Sequence, residues 1–462
     1  MLTELHVENF KAWQALDIRL GRVTGLFGTN SSGKTSILQF LLLLKQTKNA
    51  TDRGIVLDLG SQGKLVNLGT FKDLIYGHDE NLPLIWKIKW KLDEASKNKN
   101  FNIKFSLSVA SKVSPIADPF DLEINANVLF KDKEMKVHFL SYHFDVYRFE
   151  MKLKDQGIEY NAYEKDELKF SDAFETQEKR LSPSKTHLFP SQIYRKNGEP
   201  DVNSDWALSA LESAYENMMD DIYYLGPLRE YPKREYQWSG SGLTDVGYRG
   251  EGTIDAILSA TFRGETRTLS DTDEPKPFQE IIAYWLKQLG LIHTFAIKEL
   301  AEGSSLYRVI VKRDPESPEA FLTDVGFGVS QVLPALVLLY YVPEGSTVLM
   351  EQPEIHLHPS VQSGLADVIL QVAQHRNIQV IVESHSEHLL RRFQRRVAEA
   401  HYPAEDIKLY FCANNGGKAT LADLDIDEFG DIRNWPDNFF GDEMAEIAAT
   451  RTAALKRKMQ AV

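Results

Sequence analysis

Residues 28–36 read GTNSSGKTS, and this stretch decides the fold. It matches the phosphate-loop pattern G-x-x-x-x-G-K-[ST] in full. The apolar run VTGLFG (23–28) precedes it, and a helix is predicted to follow from Ser32 or Gly33. A chance turn rich in glycine and serine is the alternative, but the agreement of pattern and context argues against it. The sequence therefore predicts a nucleotide-binding strand, loop and helix.

The residue types in this stretch suit phosphate chemistry. Backbone N–H groups and the positive end of the helix face the phosphates, and glycines let the backbone approach them closely. Lys34 is predicted to reach the β and γ oxygens, and the Thr35 hydroxyl is predicted to bind Mg²⁺. The predicted nucleotide-binding residues are Gly28, Thr29, Asn30, Ser31, Ser32, Gly33, Lys34, Thr35 and Ser36.

The composition is that of a globular protein, and it excludes several classes. The chain has 462 residues, 43% of them hydrophobic and 26% charged, with a net charge of −13. This charge argues against non-specific coating of nucleic acid but leaves room for a local basic groove.

The single cysteine, Cys412, excludes a disulfide framework and a cysteine-based zinc cluster. The amino terminus lacks the apolar core of a signal peptide, and the apolar run at 41–44 is too short for a membrane span. We therefore expect a cytoplasmic protein.

The order of predicted elements indicates one α/β core split by a long insertion. Near the carboxyl end, the strands STVLME (346–351) and IQVIVESHS (378–386) alternate with helices, as in a parallel sheet. From about 82 to 153 the pattern is that of antiparallel strands, and 154–205 is polar and predicted to be loop-rich. The predicted division is 1–80 and 321–400 for the two halves of the core, 81–205 for a β-rich insertion, 206–320 for a helical and mixed insertion, and 401–462 for a carboxyl-terminal extension.

Three further motifs suit a nucleotide site. Glu351 ends the strand STVLME, where a nucleotide loop needs an acidic residue to hold magnesium through water. DVGFGVSQ (324–331) places two glycines, a serine and a glutamine at the start of a helix, which offers a second set of anion-facing N–H groups. His385 follows an apolar strand in VIVESHS (380–386).

Taken in order, these motifs resemble those of the ABC-type ATPases of the RecF, SMC, Rad50 and OLD group. GTNSSGKTS resembles the Walker A motif of that group, VGFGVSQ (325–331) its signature, VLMEQPE (348–354) its Walker B motif, IHLHP (355–359) its D-loop, and SHS (384–386) its switch-histidine loop. The nearest resemblance is to prokaryotic OLD-like ATPases that carry GFG-SQ and EQPE-HLHP. YLGPLRE (224–230), RGEGT (249–253) and NWPDNFF (434–440) also look like that subfamily.

The resemblance implies an ABC-type P-loop core that binds ATP and Mg²⁺ and forms an ATP-sandwich homodimer or a higher homo-oligomer. ATP at Lys34 of one copy would be closed over by the signature of the other copy, and His385 would contact the γ-phosphate. Thr35 and Glu351 would hold the metal. The implied signature contacts are Gly326, Phe327, Gly328, Ser330 and Gln331.

One position departs from most relatives. They have two acidic residues before the proline, the first for Mg²⁺ and the second to orient the attacking water, whereas here these positions are Glu351 and Gln352. An amide can position water but cannot take its proton. We therefore expect slow hydrolysis, or a substitute residue such as Glu354. The predicted catalytic residues are Gln352, Glu354 and His385.

Two groups of residues allow a competing metal interpretation. His356 and His358 could form half a metal site, but the D-loop resemblance already explains this segment. Acidic residues alternate in LADLDIDEFGD (421–431) and, together with Glu383, resemble those of a TOPRIM nuclease. We favour a solvated strand face for that stretch, because too little chain follows His385 for a nuclease core.

Two groups of arginines allow a nucleic-acid or phosphate interpretation. RRFQRR (391–396) carries four arginines on one predicted helix and could contact nucleic-acid phosphates, but a solvated basic helix is the favoured alternative. Arg229 and Arg249 lie in glycine-rich turns. Each could reach a phosphate, a subunit interface or a partner in a structural ion pair.

The predicted function is an ATP-binding, slowly hydrolysing switch with no membrane segment. By resemblance to OLD-like ATPases, it would control a separately encoded effector, a nuclease or toxin, in defence against phage or foreign DNA. One alternative is a RecF-like repair ATPase that acts directly on DNA. Another is an ATP-bound scaffold that holds its effector without useful turnover.

Overall fold

The protein is described by a computed structural model, which covers residues 1–52, 55–61, 63–92, 120–144, 147–154, 157–164, 167–175, 202–240, 242–270, 272–436 and 450–453. The predicted strand NIKFSLSV (102–109) and the end of NWPDNFF (434–440) lie outside these residues.

The strands of the described residues are β1 (Leu2–Phe10), β2 (Trp13–Arg19), β3 (Val23–Gly28), β4 (Leu84–Leu92), β5 (Phe120–Lys131), β6 (Glu134–Phe144), β7 (Tyr147–Lys154), β8 (Gly157–Glu164), β9 (Glu167–Glu175), β10 (Ile222–Leu225), β11 (Tyr236–Gln237), β12 (Thr266–Arg267), β13 (Lys276–Pro277), β14 (Thr294–Glu299), β15 (Leu306–Lys312), β16 (Ala320–Phe321), β17 (Thr347–Glu351), β18 (Gln379–Glu383), β19 (Ile407–Asn415) and β20 (Lys418–Asp423). The α-helices are α1 (Lys34–Lys48), α2 (Phe71–Leu74), α3 (Val202–Asp220), α4 (Thr253–Phe262), α5 (Phe278–Gln288), α6 (Phe327–Tyr341), α7 (Pro359–His375) and α8 (Glu387–Ala398). Short 3₁₀ turns cover Tyr76–His78, Leu322–Asp324 and Ala404–Asp406.

A six-stranded sheet in the order β10-β17-β18-β3-β19-β20 forms the core. The first five strands are parallel, and β20 is antiparallel to β19. Every residue of β17 and β18 is buried, as expected for strands covered on both faces. The structure therefore confirms the predicted α/β class and the alternation of strands and helices near the carboxyl end.

The core sheet also takes strands from outside the two predicted core halves. β10 comes from the segment predicted as a helical and mixed insertion, and β19 and β20 come from the predicted carboxyl-terminal extension. Since β19 pairs with β3 in parallel over 407–412, the carboxyl-terminal part of the chain completes the sheet beside the phosphate loop. The predicted division into five segments stays a prediction.

An eight-stranded antiparallel sheet contains the described strands of the β-rich insertion, in the order β2-β1-β4-β5-β6-β7-β8-β9. Its first two strands precede the phosphate loop, so the amino-terminal hairpin and the insertion share one sheet. β4 alternates buried and partly exposed residues, which confirms the strand pattern predicted there. The loop-rich prediction was wrong for 157–164 and 167–175, where β8 and β9 pair antiparallel with a register shift between Ala162 and Tyr163. Polar residues weaken the alternation in these strands, so the sequence pattern indicates a loop although the hairpin supplies the backbone hydrogen bonds.

Two apolar cores lie on the two faces of the core sheet. One contains α1 together with inward side chains of the eight-stranded sheet, and Phe40 of α1 meets Trp86 of β4 edge-on at 5.8 Å between ring centroids. The other contains α4 to α8. The leucine run at 41–44 is explained by this position, because α1 is buried between two sheets. Among the described residues, no helix is long and apolar enough to cross a bilayer.

Candidate nucleotide site

The phosphate loop connects β3 to α1 in a backbone shape that requires glycine. Gly28 has φ +139°, and a Cβ there would lie 2.1 Å from the carbonyl oxygen of Cys412 on β19. Gly33 has φ +91°, and its carbonyl accepts a hydrogen bond from the indole N–H of Trp13 at 3.1 Å. Asn414 supports the loop from the carboxyl end of β19, because its side-chain amide donates to the Ser31 carbonyl at 3.0 Å. The loop is thus held from two sides.

Lys34 occupies the centre of this loop. Its ammonium donates to the carbonyl oxygens of Thr29 at 2.7 Å and Gly28 at 3.1 Å, and to the Ser32 hydroxyl at 3.3 Å. Burial lowers the pKa of Lys34, and the charge of Glu383 opposes this shift. The side chain is 3% exposed, so its charge is concentrated inside the loop, where the phosphates of a nucleotide would bind.

Two parallel strands end beside the loop, and each ends in a glutamate. Glu351 and Glu383 are register partners on β17 and β18. The Thr35 hydroxyl donates to Glu383 Oε1 at 3.0 Å, and the Tyr224 hydroxyl donates to Glu351 Oε1 at 2.8 Å. The backbone N–H of Gln352 donates to the Glu383 carbonyl oxygen at 2.8 Å and so ties the two strand ends together.

The electrostatics of these carboxylates favour a cation. Burial, reinforced by the charge of Glu383, raises the pKa of Glu351 to about 7. Burial likewise raises the pKa of Glu383 and of Glu354. Glu383 Oε2 and Glu354 Oε2 are buried without a hydrogen-bond partner among the described residues. Because unpaired buried carboxylate oxygens are costly, this donor set fits a hard divalent cation such as Mg²⁺.

The predicted catalytic residues lie in two different environments. Gln352 is partly exposed and adopts φ +43° in the turn after β17. Glu354 is buried, and its Oε1 accepts the backbone N–H of His385 at 2.7 Å. The His385 ring interacts with the backbone of Gly28, while burial and the charge of Lys34 lower its pKa. Glu354 therefore links the turn after β17 to the histidine loop, and Gln352 remains the accessible side chain of the pair.

The signature residues lie at the start of α6. Gly326 precedes the helix, Phe327 is 42% exposed, and the Ser330 hydroxyl donates to the Phe327 carbonyl at 2.8 Å. The Phe327 ring contacts the rings of His356 at 5.4 Å and Tyr231 at 5.6 Å. Within the part of the chain that the structure describes, the hydrogen bonds and ring contacts of the signature residues do not reach the phosphate loop. The structure thus gathers the loop, Glu351, Gln352, Glu354 and His385 at one edge of the sheet and leaves the signature outside that cluster. The signature residues in question are Gly326, Phe327, Gly328, Ser330 and Gln331.

Sequence reasoning missed two residues of this cluster. The sequence prediction includes Glu383 only in the nuclease alternative and gives Tyr224 no role beyond the motif YLGPLRE (224–230). A usable sign existed for Glu383, because both STVLME and IQVIVE are apolar strands that end in glutamate. No pattern marks Tyr224, because its role depends on β10 pairing with β17.

The residues of the competing metal interpretation, the two histidines and the acidic stretch 421–431, make other contacts in the structure. His358 caps α7, where its Nδ1 accepts the Ser360 N–H at 3.3 Å, and His356 packs on Phe327. No set of three or more His, Cys, Asp or Glu side chains within the described ranges is arranged to hold a metal ion. Asp427 accepts the backbone N–H groups of Phe429 and Asp431, so this part of the acidic stretch stabilises a turn.

Most of these arginines contact other groups within the protein. Arg392 and Arg396 both bind Asp367, at 2.7 Å, while Arg391 and Arg395 pair with glutamates one turn away on or beside the same helix. Arg249 is exposed, as the prediction of an accessible phosphate or interface contact requires. Arg229 is buried, and one of its terminal nitrogens approaches the Glu351 carbonyl oxygen at 3.4 Å.

The parallel sheet, the glycine-dependent loop and the buried acids at the neighbouring strand ends define a P-loop ATPase. The model of the family described as AAA ATPase domain matches residues 1–390, so the chain belongs to that family. Residues 403–449 match a second family, described as a protein of unknown function (DUF3696). None of the curated proteins matches the chain.

Several solved structures match most of the chain at low identity and with TM-scores below 0.5. The SmcHead bound to the C-winged helix domain of ScpA is 12% identical, with a TM-score of 0.43, over 92% of this chain and 98% of that one. The Smc head domain with an extended coiled coil bound to the C-terminal domain of ScpA, derived from Pyrococcus furiosus, is 11% identical, with a TM-score of 0.44, over 92% and 96%. The SMC head domain from Thermotoga maritima is 12% identical, with a TM-score of 0.37, over 92% and 99%. The fold assignment rests on the family match and the strand order.

Proposed function

We propose that this chain is an ATP-dependent dimerisation switch that hydrolyses ATP slowly. The observation that carries the proposal is the convergence of Lys34, Glu351 and His385 at one edge of the sheet, next to the neutral side chain of Gln352. The family is one of ATPases, so ATP and Mg²⁺ are the ligands that this cluster is proposed to hold.

The residues of the loop act in binding. Lys34 exchanges its contacts with the loop carbonyls for the phosphate oxygens of the nucleotide, and backbone N–H groups of 28–36 surround the phosphates. Thr35 and Glu351 hold Mg²⁺, which when bound neutralises phosphate charge. His385 is positioned by Glu354 and by the Gly28 backbone to detect the terminal phosphate.

The turn after β17 limits the rate of hydrolysis. Gln352 can orient a water molecule through its amide, but it cannot accept the proton. Glu354 could accept a proton, yet it is 6% exposed and one of its oxygens is engaged by the His385 N–H. This arrangement supports a structural link by Glu354 rather than general-base catalysis. Slow turnover suits a switch, because the ATP-bound state then persists.

Dimerisation would place the signature of one copy over the phosphate loop of the other. The exposure of Phe327 and the absence of signature contacts to the loop, within the described residues, support closure in trans. Ser330→Arg tests this step, since an arginine at the helix start would block approach of the second copy. ATP-dependent dimer formation, measured by light scattering, should be lost while monomers still bind ATP, and Ser317→Arg serves as the surface control. An unaffected dimer would refute the signature assignment.

The switch is further proposed to control a separately encoded effector, a nuclease or toxin, in defence against phage or foreign DNA, within the cytoplasm. Resemblance to OLD-like ATPases supports this step, and co-purification with the product of the adjacent reading frame tests it. Direct action on DNA has less support, because the four arginines of 391–396 already pair with carboxylates. Gln352 also supports a scaffold that scarcely hydrolyses ATP, and single-turnover measurements separate that role from slow turnover.

A further inference from the structure

Glu383 contacts Thr35, the residue of the phosphate loop that is predicted to bind Mg²⁺. It ends β18, the strand between β17 and β3, and its side chain is 2% exposed. We propose that Glu383 is a second acidic ligand of the Mg²⁺ site, so that the metal is held by Thr35 and by two carboxylates instead of one. This inference rests on the proposed function, since it extends the site that binds ATP.

The first support is position. Glu383 Oε1 accepts the Thr35 hydroxyl at 3.0 Å, whereas Glu351 Oε1 accepts the Tyr224 hydroxyl on the other side. Glu351 and Glu383 are register partners on adjacent parallel strands, which lie about 4.8 Å apart. The two glutamates therefore end adjacent strands, and the threonine hydroxyl lies against the carboxylate of Glu383.

The second support is an unfilled hydrogen-bonding capacity. Among the described residues, the side chain of Glu383 accepts only the Thr35 hydroxyl, and its Oε2 is buried without a partner. Lys34 is the nearby cation, but its ammonium donates to loop carbonyls and to Ser32. A buried carboxylate oxygen without a partner is costly unless a cation binds it, and the other oxygen of the same carboxylate contacts Thr35, a predicted ligand of that cation.

The chemistry of the ion agrees with this donor set. Mg²⁺ is a hard cation that keeps several waters and is usually bound by one or two carboxylates together with substrate phosphates. A site with two carboxylates and one hydroxyl is therefore complete only when the nucleotide contributes its phosphates. This agrees with the finding that, among the described residues, no three or more His, Cys, Asp or Glu side chains are arranged to hold a metal ion by themselves.

The competing explanation is that Glu383 only orients the Thr35 hydroxyl. Glu383→Gln separates the two roles, because the amide oxygen still accepts the hydroxyl hydrogen bond while the negative charge is lost. Binding of a non-hydrolysable ATP analogue to the full chain is measured by calorimetry, first in EDTA and then at increasing Mg²⁺. Mn²⁺ bound in place of Mg²⁺ reports the ligand set directly by electron paramagnetic resonance.

The expected result is a change in metal affinity alone. In EDTA the variant should bind the analogue as the unmodified chain does, whereas the Mg²⁺ concentration for half-maximal tightening should rise at least about tenfold. Glu351→Gln is the positive reference, and Glu387→Gln, at the start of the next helix, is the matched control. An unchanged Mg²⁺ requirement and an unchanged Mn²⁺ spectrum in Glu383→Gln would overturn the inference.

A second variant guards against misfolding. If Glu383→Gln does not fold, Glu383→Asp retains the charge at a shorter reach and should show an intermediate Mg²⁺ requirement, while a requirement equal to that of the unmodified chain would overturn the inference. Failure of the proposed function is distinguishable, since the unmodified chain would then show no Mg²⁺-dependent binding of the analogue at all.

Discussion

The strands β17 and β18 form two similar units with different partners. Each is a fully buried strand that ends in glutamate, continues through a short turn and enters a helix whose first turn is capped by a side chain. Glu351 is engaged by Tyr224 on the outer side of the sheet, and Glu383 is engaged by Thr35 on the side of the phosphate loop. A sequence motif therefore identifies the strands, whereas contacts decide which carboxylate lies next to the nucleotide loop.

The largest effect is expected for Lys34→Ala, which removes the cation between the loop and both strand ends. ATP affinity should fall on the order of 100-fold or more, because truncating one partner of a buried charge pair costs about 2–5 kcal/mol. Titration with a fluorescent nucleotide measures the change. Lys48→Ala, at the other end of α1 and paired with Asp220, is the matched control. Unchanged affinity in Lys34→Ala would refute the phosphate-loop assignment and remove the basis of the comparison.

The next largest effect is expected in the turn that follows β17. Gln352→Glu restores an acidic side chain at an accessible position, and steady-state ATP turnover should rise at least about tenfold, since a positioned general base contributes about 10²–10⁴-fold. Gln374→Glu, an exposed position on α7, controls for added surface charge. If turnover stays the same, the amide is not the limiting feature, and Glu354 or a slow conformational step sets the rate.

A smaller effect is expected at Tyr224 on β10, the strand that pairs with β17 at the edge of the core sheet. Tyr224→Phe removes the hydrogen bond to Glu351, and the Mg²⁺ concentration needed for tight nucleotide binding should rise about fivefold, as for a hydrogen bond worth about 1 kcal/mol. Tyr223→Phe, at the neighbouring position of β10, is the control. Equal effects of both substitutions would mean that β10 affects stability only and does not position Glu351.

The smallest expected effect is a difference in stability between variants of the residues that cap α7 and α8. Ser386 accepts the Leu389 N–H at 3.0 Å in the usual geometry of a serine cap, whereas His358 caps α7 with a longer bond of 3.3 Å. Ser386→Ala should lower the free energy of unfolding by about 1 kcal/mol, and His358→Ala should lower it by less. Urea denaturation of both variants gives the comparison, and a larger loss at His358 would contradict the ranking.

Much of the fold could be predicted because it depends on local patterns. The residues of β3 and α1 carry a complete loop motif, and α6, β17, α7, β18 and α8 all follow from apolar periodicity and glycine or proline boundaries. The position of β10 could not be predicted, since four residues of strand pattern do not indicate which sheet they join. β8 and β9 were missed because polar residues obscure the alternation of a strand.

The site could be predicted in part for the same reason. The spacing around Lys34, Glu351 and His385 is a sequence property, and the structure brings these residues together at one edge of the sheet. The roles of Glu383 and Tyr224 depend on contacts between strands that are far apart in the chain. Thr35 and Glu383 are separated by 348 positions, and Tyr224 and Glu351 by 127.

The close approach of Gly28 to Cys412 has a consequence for synthesis of the protein. β3 lies between β18 and β19, so the strand that carries the phosphate loop has no neighbours in its own sheet until residues 379–415 have been made. The bond from Asn414 to Ser31 spans 383 positions. Pairing between strands so far apart in the sequence is slow, because the chain loses the entropy of loop closure before the stabilising contacts form. The phosphate loop of a nascent chain therefore lacks both neighbouring strands of its sheet until residues 379–415 have been made, and a product that ends before β18 should fail to form the nucleotide site.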